Sequence, residues 1–290
     1  MTYPGGKQAA GTYQTIINLM PPHDVYIEPF LGSGAVMRMK RPAAINIGVD
    51  LDRKALDAFL ELAPPEMAMQ AFIAGTDERD PSLLSQVAAG VHRHHGRYPP
   101  THTVRNDDEA LSAGNGDTAG TTIICGDAFE FLTTYPFTGR ELVYCDPPYP
   151  HETRSRDNYY RYEMGTDNHT RLLIILKSLP CMVMISSYES RLYAHMLKSW
   201  KSTSFQAMTR GGRMATECLW YNYPEPIELH DWRYLGGDFR ERERIKRKKQ
   251  RWVNRLQAMP TLERRALLAA LCEACPELEP GRAGFGESLP

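Results

Sequence analysis

The sequence predicts an α/β fold with a mostly parallel sheet of about seven strands. Short apolar segments rich in β-branched or aromatic residues alternate with helix-period stretches, which is the sequence form of a parallel sheet covered by helices. Several of those apolar segments also end on acidic or glycine residues, as the ligand-facing ends of parallel strands do. The candidate strands are residues 25–30, 44–50, 121–127, 141–146, 181–188, 202–207 and 217–223. Helical patterns fill residues 9–19, 51–62 and 169–179, the last around the continuous run Leu172-Leu173-Ile174-Ile175-Leu176. No internal repeat interrupts this alternation.

Two regions depart from it. Residues 64–120 lose strand patterning and are rich in Gly, Pro, Asn, Asp and His, so they read as an insertion between two halves of one domain, 1–63 and 121–225. Residues 226–290 follow Pro224-Glu225-Pro226 and read as a basic, helical C-terminal extension with a helix near 262–274.

At 290 residues, 42% of them hydrophobic and 24% charged, the chain buries a full core and is no disordered protein. Its net charge of -1 conceals segregation. Between residues 233 and 255, ten Lys or Arg face three Asp or Glu, a local net of +7 that leaves about -8 for the rest. Phosphate binding needs such a local excess rather than a basic total. Six irregularly spaced cysteines make no disulfide framework. With no signal-peptide pattern behind Met1 and no apolar run long enough to span a bilayer, a cytoplasmic protein without membrane attachment is expected.

Four strand ends carry the chemistry. The first leads into Glu28-Pro29-Phe30-Leu31-Gly32-Ser33-Gly34, where two glycines allow close approach of a ligand and the carboxylate suits a cationic group. Val36 and Met37 stand where a phosphate-cradling Gly-x-Gly-x-x-Gly would have its third glycine, so an amino-acid-bearing ligand fits better than a pyrophosphate. The second ends Val49-Asp50-Leu51-Asp52, with Asp50 placed to hold ribose hydroxyls and Asp52 to cap the next helix. The third ends Cys125-Gly126-Asp127-Ala128, either reading a ring edge or forming a plain turn with Asp127 as helix cap. The fourth ends Asp146-Pro147-Pro148-Tyr149, where two prolines fix the backbone directly after an apolar strand.

Tyr3-Pro4-Gly5-Gly6-Lys7, the Glu28 to Gly34 motif and Asp146-Pro147-Pro148-Tyr149, in that order, resemble the signature of the alpha, or Dam-like, group of N6-adenine-specific DNA methyltransferases. The resemblance covers roughly residues 1–62 and 121–223. It implies the Rossmann-like fold of S-adenosylmethionine-dependent methyltransferases, with that molecule as cofactor and DNA as substrate. It also implies that Tyr3, Gly6, Lys7, Glu28, Phe30 and Gly32, with Ser33 and Gly34 in the same loop, line the methionine end of the cofactor. Asp50 would hold its ribose, and Asp127 and Ala128 its adenine. Target recognition falls in the insertion.

The chemistry follows independently of the resemblance. An adenine amino nitrogen is a poor nucleophile because its lone pair is delocalised into the ring, so the protein has to position and polarise it. Asp146 and the Pro147 carbonyl accept its two N–H groups, and Tyr149 stacks on the flipped base. No metal is needed. Cys145, one residue before Asp146, reads as a buried structural thiol rather than a nucleophile. Arg154, Arg156 and Arg161 interleaved with Tyr159 and Tyr160, the hairpin residues Arg210 and Arg213, and the run Lys246-Arg247-Lys248-Lys249 are candidate nucleic-acid contacts. A solvated loop, a plain turn and a solvated helix face are the respective alternatives. RNA adenine methylation and a catalytically silent DNA-binding protein on the same fold are the rival functions.

Overall fold

The computed structural model describes residues 7–9, 11–65, 67, 71–74, 120–150, 161–208, 212 and 214–275. Two compact units emerge: Met1–Val91 with Thr118–Asp238, and His92–Asp117 with Phe239–Pro290. In the first unit the described elements run α1 (Thr12–Ile17), β1 (Val25–Glu28), α2 (Ala35–Met39), β2 (Ile45–Asp50), α3 (Arg53–Leu62), β3 (Ala71–Ala74), β4 (Gly120–Cys125), α4 (Ala128–Thr134), β5 (Glu141–Cys145), α5 (Thr166–Ser178), β6 (Met182–Tyr188), α6 (Arg191–Met196), β7 (Lys201–Met208) and β8 (Met214–Tyr221). All seven expected strands are present, within a few residues of their expected ends. An eighth, β3, joins at the edge from inside the stretch where strand patterning was lost.

The local signals that form these elements are legible. Asp52 caps α3, accepting from the Lys54 amide at 3.1 Å, and the helix stops ahead of Pro64-Pro65, which disfavour the helical conformation before them. Asp127 caps α4 through the amides of Phe129 and Glu130. In α5 the buried residues His169, Leu172, Leu173 and Leu176 recur at helical spacing and form its inner stripe. Strands β1 and β5 are buried along their whole length, as expected of central parallel strands covered on both faces.

The strands lie in the order β3-β4-β2-β1-β5-β6-β8-β7. Every pair is parallel except β6 with β8 and β7 with β8, which are antiparallel. Alternation along the strands divides the core into two layers. Val25, Ile27, Val143 and Cys145 pack on one side with residues of α4, α5 and α6, while Tyr26, Leu142 and Tyr144 pack on the other with residues of α1, α2 and α3. The chain winds outward from β1 through β2 to β4, then returns to add β5 on the other side of β1. The break between β1 and β5 is therefore the topological switch point, where open sheets of this kind place ligands.

After β8, the segment 226–238 packs on the first unit although it was expected in the extension. The Arg41 amide donates to Asp231 at 2.9 Å, His230 N donates to the Met20 carbonyl at 2.9 Å, and the Tyr234 hydroxyl donates to the Met39 carbonyl at 2.9 Å. In the second unit, α7 (Phe239–Ala258) and α8 (Thr261–Ala274) are the described elements, and neither has a buried residue. No helix among the described residues is long and apolar enough to cross a membrane.

Candidate active site

A cavity of about 430 Å³ opens beside the switch point, and Glu28, Gly32, Asp50, Asp127 and Asp146 all line it. Four separate strand ends thus deliver one wall each. The turn after β1 depends on its glycines: Gly32 and Gly34 have φ of 52° and 58°, in the left-handed region. A Cβ on Gly34 would also lie 2.3 Å from the Phe59 ring. Gly32 N donates to Asp50 Oδ2 at 2.7 Å and Asp52 N to Asp50 Oδ1 at 2.8 Å, so the loop and the end of β2 are tied together through one carboxylate. Burial pushes the Asp50 carboxyl up to about 6, although those two amides pull it down.

Glu28 is 3% exposed. Its Oε2 accepts from the Tyr26 hydroxyl at 3.0 Å and from Met37 N at 3.2 Å. Burial pushes its carboxyl up to about 8 against those bonds. A carboxyl in this state gains from a cation brought into the cavity, because a nearby positive charge favours its ionised form. Phe30, Ser33 and Ala128 also line the cavity, and the Phe30 ring stands edge-on to Phe129 with centroids 6.5 Å apart.

At the end of β5, Asp146 is held from two sides. Lys7 Nζ donates to Asp146 Oδ1 at 2.7 Å and also lies 2.7 Å from the Tyr149 hydroxyl. Ser186 Oγ donates to the same Oδ1 at 2.8 Å, and the Tyr144 hydroxyl lies 3.0 Å from Ser186 Oγ. Both bonds to Asp146 fall on Oδ1; among the described residues none falls on Oδ2. Glu217 Oε2 forms an ion pair with Lys7 Nζ at 3.7 Å. Burial pushes the Lys7 ammonium down, but Asp146 and Glu217 more than offset it, and the group stands above its ordinary value. Burial likewise holds the Glu217 carboxyl above its ordinary value against the pull of Lys7.

Most of the described residues singled out from the sequence line this cavity, with some changes of role. Lys7 lines it, yet its ammonium reaches the Asp146 end and not Glu28. Asp127 caps α4 and lines the cavity at once, so the two readings of it coexist. Tyr149 is 4% exposed, with its ring edge-on to Tyr188 at 4.6 Å, so stacking on a base requires a different position of this side chain. Cys145 is buried and its thiol is pushed well above its ordinary value by that burial, which fits a structural role. Arg161 lines the cavity and pairs with Asp52 Oδ1 at 3.1 Å. Lys246, Arg247, Lys248 and Lys249 are exposed on α7. Tyr3, Gly6, Arg154, Arg156, Tyr159, Tyr160, Arg210 and Arg213 lie outside the described residues.

Ser186 and Glu217 were not foreseen. One signal for Ser186 was present: a Ser-Ser pair near the end of an otherwise apolar strand. Parallel register pairs Cys145 with Ile185, which sets Ser186 beside Asp146. Glu217 needs the antiparallel pairing of β8 with β6, where it lies opposite Tyr188, and no local pattern announces that.

Among solved structures, the chain is similar to a precorrin 8W decarboxylase from Methanobacterium thermoautotrophicum, at 12% identity over 76% of this chain and 92% of that one, with a TM-score of 0.37. It is similar to an rRNA methylase from Streptococcus thermophilus at 10% identity, over 72% and 93%, TM-score 0.34. A magnesium protoporphyrin IX methyltransferase from Synechocystis with bound SAM matches at 11% identity, over 73% and 75%, TM-score 0.34. No curated protein matches the chain. Residues 94–215 match the family model of the D12 class N6 adenine-specific DNA methyltransferases. That segment holds Asp146-Pro147-Pro148-Tyr149 but neither motif near the N-terminus, and the family which that model describes is the one that all three motifs resemble.

Proposed function

We propose that this protein transfers the methyl group of S-adenosylmethionine to the exocyclic N6 amine of an adenine in DNA. The observation that carries the reading is the convergence of Glu28, the Gly32 turn, Asp50, Asp127 and Asp146 on one cavity at the switch point. The donor set suits the cofactor. Glu28, raised to about 8 when alone, pairs with the α-ammonium of the methionine end. Asp50 accepts from ribose hydroxyls, and the start of α4 at Asp127 and Ala128 borders the adenine. When bound, the cofactor supplies an activated methyl group on a sulfonium, which leaves as a neutral thioether.

The protein's own share is positioning and charge. Asp146 accepts one amine N–H through its carboxylate and the Pro147 carbonyl accepts the other, which turns the nitrogen lone pair toward the methyl group. Lys7 and Ser186 fix Oδ1, so Oδ2 is the oxygen offered to the base. As the N–C bond forms, positive charge develops on nitrogen. Lys7, Asp146 and Glu217 together carry a net negative charge that favours it when both carboxylates are ionised. The surplus proton then leaves nitrogen to Asp146 or to water. The base reaches this site only when flipped from the duplex, at a cost of a few kcal/mol. The insertion selects the target.

Incubation with labelled S-adenosylmethionine and separate duplex DNA and RNA substrates, followed by nucleoside analysis, tests the reading. N6-methyladenine from DNA is the expected product; label found only in RNA supports the rival substrate.

A further inference from the structure

The cations of α7 are not spread evenly around the helix. A helix advances roughly 100° per residue, which sets Arg240, Arg244, Arg247, Lys248, Arg251 and Arg255 within one arc of roughly 100°. All six are exposed. Lys246, Lys249 and Arg242 fall outside this arc, and the half-buried Ile245, Val253 and Leu256 lie on the far side of the helix. The contiguous run Lys246 to Lys249 is therefore two on-stripe and two off-stripe residues. Five of the six stripe residues are arginines, whose planar guanidinium matches phosphate oxygens in pairs. Among the described residues their only carboxylate partner is Glu241, 3.3 Å from Arg244. Arg247 Nε donates to a backbone carbonyl, that of Glu243, at 3.2 Å. Trp252 borders the stripe, 49% exposed, with the Arg255 guanidinium 5.6 Å from its ring centroid.

We propose that this arginine stripe is a binding surface for the phosphodiester backbone of duplex DNA, resting on the nucleic-acid reading above. From Arg240 to Arg255 the stripe is about 22 Å long at 1.5 Å rise per residue. Over that length one strand of a duplex presents roughly six phosphates, at one for every 3.4 Å of axis. Charge is complementary along the whole length, and the contact carries no sequence information. An acidic protein or an anionic membrane is the competing occupant.

The test compares two charge-matched full-length variants, Arg244→Gln/Arg247→Gln/Arg251→Gln on the stripe and Arg242→Gln/Lys246→Gln/Lys249→Gln off it. Gln keeps a helix propensity close to that of Arg and Lys, so both keep α7. Binding to a random-sequence duplex, without methyl donor, is measured across a salt series. The stripe variant should lose at least tenfold in affinity at about 0.1 M salt and flatten the log–log salt plot by up to about 0.9 per contact removed. The off-stripe variant should stay near wild type. Equal losses in the two variants, no loss in either, or wild-type binding to phosphatidylserine vesicles but not to duplex overturns the proposal. Binding through the stripe by a protein that makes no N6-methyladenine would refute the methylation reading and leave this one standing.

Discussion

Ser186 Oγ donates to Asp146 Oδ1 at 2.8 Å, from the strand directly beside the one that Asp146 ends. With Lys7 on the same oxygen, the carboxylate is fixed in orientation before any substrate arrives. In the proposed reaction Ser186 is thus a positioning residue, acting through Asp146.

Replacing Ser186 by Ala should lower kcat about tenfold, because a hydrogen bond to a charged group is worth roughly 1.5 to 3 kcal/mol and Lys7 still holds the same oxygen. Cofactor affinity and KM for DNA should change little. Ser187→Ala is the control: its side chain points to the other face of the sheet, and kcat should stay at the wild-type level. Steady-state methyl transfer with calorimetric cofactor binding separates the outcomes, and equal effects of the two variants would reduce Ser186 to a packing residue.

Asp50→Ala should weaken cofactor binding by about 1.5 to 3 kcal/mol, or roughly 10- to 150-fold. The same variant removes the acceptor for Gly32 N, so its melting temperature should fall as well. Asp50→Asn keeps an acceptor for one of the two amides and should melt closer to wild type while still binding the cofactor poorly. Unchanged affinity in a titration of either variant would remove Asp50 from the site.

Glu28 gives the site a pH dependence with a definite sign. Its carboxyl is raised to about 8 in the free protein, so it is mostly protonated at neutral pH and must release a proton to pair with an ammonium. Cofactor affinity should therefore rise with pH between about 6 and 7.5, by up to about tenfold per unit. Above that window the α-amino group itself loses its charge, near 8, and the gain levels off. The linkage to folding has the opposite slope. Stability from this group is full below its unfolded value near 4.5 and is lost as pH rises through about 8. Binding isotherms at several pH values should show the rise in the wild type and lose it in Glu28→Gln; a rise that persists in the variant would assign the proton elsewhere.

Much of this was legible in the sequence, and for identifiable reasons. Strands β1, β2, β4, β5 and β6 are apolar runs bounded by turn residues, and periodicity alone finds them. The acidic residues at their ends needed only the rule that parallel strands bind at their carboxyl ends. What pattern could not supply was pairing between distant segments. Strand β3, four residues long, is held by its partner β4 and not by its own sequence. Glu217 comes within reach of Lys7 only because β8 returns antiparallel beside β6. Residues 226–238 looked like the start of the extension because Pro224 and Pro226 mark a break, whereas the bonds of His230, Asp231 and Tyr234 to residues 20–41 are invisible in one dimension. On α7, adjacency in sequence suggests one cluster, whereas helical spacing sets Arg247 and Lys248 on one arc and Lys246 and Lys249 outside it.

The most direct measurement is single-turnover methyl transfer to a duplex by the wild type and by Asp146→Asn, with product nucleosides resolved. The wild type should yield N6-methyladenine. Asp146→Asn should keep cofactor binding near the wild-type value and lose transfer by about 100- to 10,000-fold, since it removes the charged acceptor for the reacting amine. Transfer by Asp146→Asn at close to the wild-type rate, or methyl label on any other atom of the nucleosides, would contradict the assignment of this strand end as the place of reaction.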